Sequence, residues 1–202
     1  YSLCRFRKNI MKLKIEHKGL VDYEPCIKEM KQLVESQPNY HSIWVLEHNP
    51  VFTIGISEKG IQEDKKLNPP LIKTDRGGKT TYHGPGQKIF YFILSLKDLP
   101  FKPTDLTKNV LQETSDTLNG YGLENEINLK DPGIYLDNKK LASVGMRIRR
   151  NYSYHGLSIN FDTNLSTFNN VVLFQEYTEF DEVSGNTITS SEQVAKLDIN
   201  IV

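Results

Sequence analysis

With 202 residues and 25 basic against 25 acidic side chains, the chain is sized for one domain around one substantial core and carries no formal net charge. A whole-protein field that draws it to nucleic acid or to a membrane surface is thereby excluded, so a charged partner must be met by a local patch. The longest apolar run, Ile89 to Leu96, falls far short of the roughly 20 residues that cross a bilayer as a helix.

The stretch Tyr1 to Ile15 carries five Lys or Arg and no acid, the pattern of a transit-peptide remnant or of residues upstream of a start at Met11. Either way it is expected to lie outside the fold. Its Cys4, with Cys26, cannot make a disulfide framework or a four-ligand zinc site, which favours a reducing compartment, the cytoplasm or alternatively the mitochondrion. The predicted division is a tail at 1–10, a domain at 11–172 and a divergent segment at 173–202.

From Tyr23 to Val34 the apolar residues recur at helical spacing, with Cys26 on the core face. "SIWVLEH" and "VFTIG" read as neighbouring strands about an "HNP" turn, and "KIFYFILSL" as a central strand buried on both faces. A second helix is predicted over Thr104 to Leu118, with Gly120 able to end it. "GIYLDNKKLASVGMRIRR" reads as a hairpin about Asp137-Asn138, and "YSYHGLSINFD" as a further strand. The fold class that follows is α/β or α+β, one large mixed sheet with helices packed on it.

Two clusters stand out chemically. "RGGKTTYHGPGQ", residues 76 to 87, sets four glycines beside Arg76 and His83. Such a loop can turn successive backbone N–H groups toward a carbonyl, carboxylate or phosphate oxygen, and Arg76 can add a bidentate donor. It lacks the spacing of a Walker or dinucleotide loop. "NKKLASVGMRIRRNYSYHGLSIN" adds Lys140, the small residues Ala142, Ser143 and Gly145, and the pair His155-Gly156. A solvated Lys140 and a structural His155 are the ordinary fates of these two. Arg147 and Arg149 share one strand face and, with Lys139, can form a basic patch for an acidic partner.

Together, R-G-G-K-T-T-Y-H-G-P-G-Q, K-K-L-A-S-V-G-M-R-I-R-R, Y-H-G-L-S-I-N-F-D and L-S-T-F resemble, from about Ser42 to Phe168, the octanoyl (lipoyl) transferases of protein lipoylation. The resemblance implies the fold of biotin and lipoate protein ligases. It also implies transfer of octanoyl from octanoyl-acyl carrier protein to a lysine of lipoyl domains, those of 2-oxoacid dehydrogenase complexes and of glycine cleavage H protein. Neither nucleic acid nor membrane is an implied partner, and no cofactor or metal is implied.

Residues matching the family's substrate-contacting segments are Arg76, Gly77, Gly78, Lys79, Thr80, Thr81, Tyr82 and His83, then Ser143, Val144 and Gly145, then Gly156, Leu157 and Ser158. Lys140 matches the family lysine beside the nucleophilic thiol. Where the family carries Pro-Cys-Gly, this register places Leu173-Phe174-Gln175, and Phe174 has no nucleophilic atom. So abrupt a departure points to a frameshift, an alternative splice or a gene-model error, or to a protein that binds an acyl carrier or lipoyl domain without catalysis. An ATP-dependent lipoate ligase is the further alternative.

Overall fold

The computed structural model describes residues 11–171, so the predicted tail at 1–10 and the segment 173–202 lie outside the described residues. A strand, β1 (Lys12–Val21), opens the fold and leads into α1 (Tyr23–Ser36). The expectation that residues up to Ile15 stand outside the fold is thus corrected. Of that stretch, Lys12 and Lys14 are strand surface, the Lys14 ammonium lying 3.6 Å from the Tyr40 ring centroid, and further along β1 the Lys18 ammonium lies 3.9 Å from the Trp44 ring centroid.

The chain continues through β2 (Tyr40–His48), β3 (Val51–Ile54), β4 (Leu71–Lys73), β5 (Thr81–His83), β6 (Gln87–Ile93) and α2 (Leu106–Gly120). It then runs through β7 (Glu126–Asn128), β8 (Gly133–Leu136), β9 (Lys139–Arg149) and β10 (Tyr152–Asn160). Seven strands form a mixed sheet in the order β1-β2-β6-β10-β9-β8-β7, in which β1 and β2 are parallel. The other three form a separate sheet, β4-β3-β5. Here the expectation of neighbouring strands about the "HNP" turn fails: β2 pairs with β6, while β3 leaves for the small sheet, where all four of its residues are buried.

The strand buried on both faces is β10, at the centre of the seven, rather than β6, whose residues alternate between buried and half-buried. The reason is coverage. Helix α1 seals one face with Tyr23, Cys26, Ile27, Met30 and Val34 against Trp44, Leu46, Ile89, Tyr91 and Ile93. On the other face α2 packs Leu111 and Leu118 on Ile134, Leu141, Ala142, Leu157 and Ile159. Phe90 and Phe92 of β6 meet only the margin of that second cluster. The hairpin at Asp137-Asn138 forms as expected, with φ of 49° and 63°, and Arg150-Asn151 repeats those angles between β9 and β10.

The small sheet is joined to the large one through buried polar rings. His48 Nδ1 lies 3.0 Å from the Val21 carbonyl, to which it can only donate, so its Nε2 accepts from the Tyr91 hydroxyl at 2.8 Å. His83 Nδ1 donates to Gln87 Oε1 at 2.6 Å, and Gln87 Nε2 donates onward to Asn160 Oδ1. Tyr23 stacks on His83 with centroids 6.2 Å apart and meets His48 edge-on at 5.1 Å. Both imidazoles are neutral. Burial pushes His48 down to about 4, and burial together with the Arg76 charge pushes His83 down to about 3.

Two predictions follow from this packing. A Cβ at Gly156 would lie 1.8 Å from the Phe90 carbonyl oxygen, whereas one at Gly120 meets nothing within 4 Å. Gly156→Ala is expected to lower the free energy of urea unfolding by about 3 kcal/mol or more. Gly120→Ala should leave it unchanged or raise it by up to about 1 kcal/mol. Equal effects at the two positions would contradict the packing.

The second concerns pH. His48 and His83 stay neutral in the fold but take a proton near 6.5 when unfolded, so their contribution is complete above that pH and declines as pH falls toward 4. Each removes about 1.4 kcal/mol per pH unit, with about two protons taken up on unfolding at pH 5. Urea titrations at pH 7.5, 6 and 5 check this, and a flat profile would rule it out.

Candidate active site

The glycine loop begins at Asp75, just after β4, and is fixed from three directions. The Asp75 carboxylate accepts from the Tyr154 hydroxyl at 2.7 Å, pairs with Lys31 of α1 at 3.0 Å and lies 3.0 Å from His155 Nε2. Burial alone would raise the Asp75 carboxyl, but the bonds from His155, Tyr154 and Lys31 overcome it and hold the group far below the usual carboxylate range. His155 is buried, its φ of 59° is rare for a residue with a side chain, and its Nδ1 has no partner among the described residues. It is thus more than the satisfied structural histidine expected from sequence.

Arg76 is not the free donor that the sequence suggested. Its Nε donates to Thr53 Oγ1 at 3.0 Å, its Nη2 to Thr53 O and Oγ1 at 2.7 Å and 2.8 Å, and its Nη1 to Gly77 O at 2.9 Å. The guanidinium therefore ties the loop to β3, and burial lowers its hold on its proton.

Beyond Arg76 the loop runs through a slot with backbone walls. Gly78 takes φ of 84°, which favours glycine, and its carbonyl is so close to Gly55 that a Cβ there would lie 2.1 Å away. On the other wall a Cβ at Gly145 of β9 would lie 2.8 Å from Gly77 O. Ile56 and Ser57 donate backbone bonds to the carbonyls of Arg76 and Gly78, and Thr80 N donates to Glu58 Oε2 at 2.9 Å. Among the described residues, the N–H groups of Gly77 and Gly78 find no acceptor.

Of the segments expected to meet, Gly77 and Gly145 touch, and Gly156 and Ser158 lie across from Gly145 and Ser143 in the β9-β10 register. Other residues are committed elsewhere. Leu157 and Val144 belong to the α2-side core, and Tyr82 packs on Phe52 and Phe168. Thr81 pairs with Thr53 across the small sheet, and His83 is sealed beneath Tyr23. Gly156 answers to the Phe90 carbonyl, so its lack of a side chain is a requirement of strand packing.

Lys140 is not extended into solvent from the hairpin: its ammonium pairs with Asp131 Oδ1 at 2.7 Å, and its side chain is 21% exposed. The loop's Lys79 also acts electrostatically on Asp131, so the glycine loop and Lys140 share one carboxylate neighbour. Sequence reasoning missed Asp75, Gly55 and Thr53, because each acts through partners distant along the chain, and Asp131, whose partners Tyr135 and Lys140 are near in sequence but are brought to it by the β8-β9 pairing. The basic patch is reduced as well. Arg149 and Arg150 both bond Glu35 at 2.6 Å, since the turn at Arg150 brings them together, while Arg147 is exposed. Cys26 is buried in the α1 core, and burial pushes its thiol up to about 12.

Comparison with known proteins agrees with this architecture. The family model of the lipoyl protein ligase A/B catalytic domain matches residues 26–200. The chain is 39% identical over 156 residues to an octanoyltransferase of Laribacter hongkongensis, covering 76% of this chain and 75% of that one. It is 38% identical over 162 residues to an octanoyltransferase of Vibrio atlanticus, covering 79% and 74%. Among solved structures, a lipoate-protein ligase A bound with ATP superposes with a TM-score of 0.71 at 15% identity, covering 95% of this chain and 81% of that one. A bi-partite lipoate protein ligase with its E2 lipoyl domain, from Thermoplasma acidophilum, gives 0.62 at 15% identity, covering 95% and 79%. The structures show the shared fold, and the sequence matches show that the chain belongs to the lipoyl protein ligase A/B catalytic-domain family, among its octanoyltransferases.

Proposed function

We propose that the glycine loop, where it lies against β9, receives the octanoyl thioester of octanoyl-acyl carrier protein, and that the acyl group passes from there to a lysine amine of a lipoyl domain. The observation that carries this reading is the pair of N–H groups at Gly77 and Gly78 with no acceptor among the described residues, Gly77 packed on Gly145 and Gly78 on Gly55. Two adjacent donors fixed by main-chain packing suit the oxygen of a thioester that becomes an oxyanion, because they need no reorganisation when the charge develops. Lys140 supplies the cation and proton carrier between leaving thiolate and attacking amine.

In a covalent route a thiolate attacks the thioester carbonyl, the carrier thiolate leaves, and the lipoyl-domain amine then displaces the enzyme sulfur to give the amide. Cys26 cannot supply that sulfur: it is buried in the core, and burial disfavours its thiolate. The position where the family carries its nucleophile, read as Leu173-Phe174-Gln175, lies outside the described residues. This favours a second reading, in which the chain binds the acylated carrier or the lipoyl domain without forming an acyl-enzyme.

Intact-mass spectrometry after incubation with octanoyl-acyl carrier protein separates the readings. The chain as it stands is expected to bind the carrier and gain no mass. With Leu173→Pro, Phe174→Cys and Gln175→Gly combined, it should gain one octanoyl group that hydroxylamine removes. Adding Lys140→Ala should then slow transfer by roughly 10²- to 10⁴-fold. A hydroxylamine-resistant octanoyl adduct on the unaltered chain would mean another nucleophile and overturn this account.

A further inference from the structure

Lys140 sits in a mould shaped by three neighbours. Its stem crosses β8 where residue 133 is glycine; a Cβ there would lie 2.5 Å from Lys140 Cε and 2.4 Å from the Ala142 carbonyl. Its ammonium ends on Asp131 Oδ1 at 2.7 Å, while the Tyr135 hydroxyl donates to Oδ2 at 2.5 Å. The Tyr135 ring centroid lies 5.6 Å from Nζ.

Backbone register contributes too. Gly133 pairs with Ser143 and Ile134 with Ala142, but Tyr135 pairs with Lys140, so Leu141 is an extra residue in β9. Lys140 is thereby turned to the face of Gly133 and Ser143, where Gly145 meets the glycine loop, while Leu141 and Ala142 are both sent into the α2-side core.

We infer that Asp131 is the positioning residue of the site: one carboxylate oxygen holds the Lys140 ammonium, the other is held by Tyr135, and the stem is seated over Gly133. This rests on the reading of Lys140 as a residue of the acyl-transfer site. The Asp131 side chain is 68% exposed, so the ion pair adds little to stability. What it supplies is direction: the ammonium is kept at the edge of the loop, yet is released easily when a thioester arrives.

The test uses the chain as it exists. Trace labelling with an amine-acylating reagent at fixed pH, read by peptide mass spectrometry, compares Lys140 with Lys108 of α2 in the unaltered chain, Asp131→Asn and Asp131→Glu. Asp131→Asn is expected to speed labelling of Lys140 alone by about 1.4- to 5-fold, the range open to an exposed ion pair, and Asp131→Glu to restore the slow rate. Octanoyl-pantetheine, a small thioester, should protect Lys140 in the unaltered chain and protect it less in Asp131→Asn.

An unchanged Lys140 rate in Asp131→Asn overturns the positioning role while leaving protection by the thioester to support Lys140. Equal acceleration of Lys140 and Lys108 overturns it as well, because only a general structural effect moves both. Release by Asp131→Asn with no protection in any form overturns the underlying assignment of Lys140, and the inference with it.

Discussion

One half-buried carboxylate holds the glycine loop, α1 and β10 together. Asp75 ends the run out of β4, starts the glycine loop and bonds Lys31 of α1 together with His155 and Tyr154 of β10. Removing any of these from water costs free energy, and only mutual bonding offsets that cost. The arrangement therefore forms as a set. It draws the small sheet, the helix and the central strand to one point, and it forces His155 into a backbone conformation that strands rarely accept. With Arg76 bonded to Thr53 beside it, the loop that follows has little freedom left before its first glycine.

That constraint explains why the slot is lined by main chain. Gly55 crowds the loop from the small sheet and Gly145 from the large one, at distances that no side chain on either wall would permit. On the proposed reading, the donors are the N–H groups of Gly77 and Gly78, in a loop packed between the two sheets. Preorganised donors of this kind act on developing charge more effectively than mobile side chains, which must first be ordered.

Much of this was legible in the sequence, and the limits have physical causes. Both helices, the hairpin at Asp137-Asn138 and the burial of Cys26 followed from spacing and turn chemistry, which are local. The convergence of the glycine loop on β9 was legible through the resemblance and is seen in the contact of Gly77 with Gly145. The departure of β3 into its own sheet was not legible, because nothing local distinguishes a strand that pairs with its neighbour from one that crosses over. The role of Arg76 was misread for a related reason: its acceptor, Thr53, lies 23 residues away, and an arginine beside glycines looks the same whether it faces a ligand or its own backbone. Likewise Lys12 and Lys14 read as part of a basic leader segment, whereas both lie in β1 and Lys14 has an aromatic partner on β2.

Lys140 shows how a weak interaction can matter where strong ones are available. The bonds of half-buried Asp75 and buried Arg76 fix backbone, and a group that carries protons, as proposed for Lys140, cannot be held that tightly without losing the ability to move. Burial works against the ionised form of Asp131, but the bonds from Lys140 and Tyr135 prevail and keep its carboxyl below the usual range, so the pair persists in water without being sealed from it. A strand bulge, a missing side chain at Gly133 and one exposed carboxylate then supply orientation at small cost. On the proposed reading of the loop and Lys140, the rigid part of the site lies where charge develops and the movable part where a proton travels.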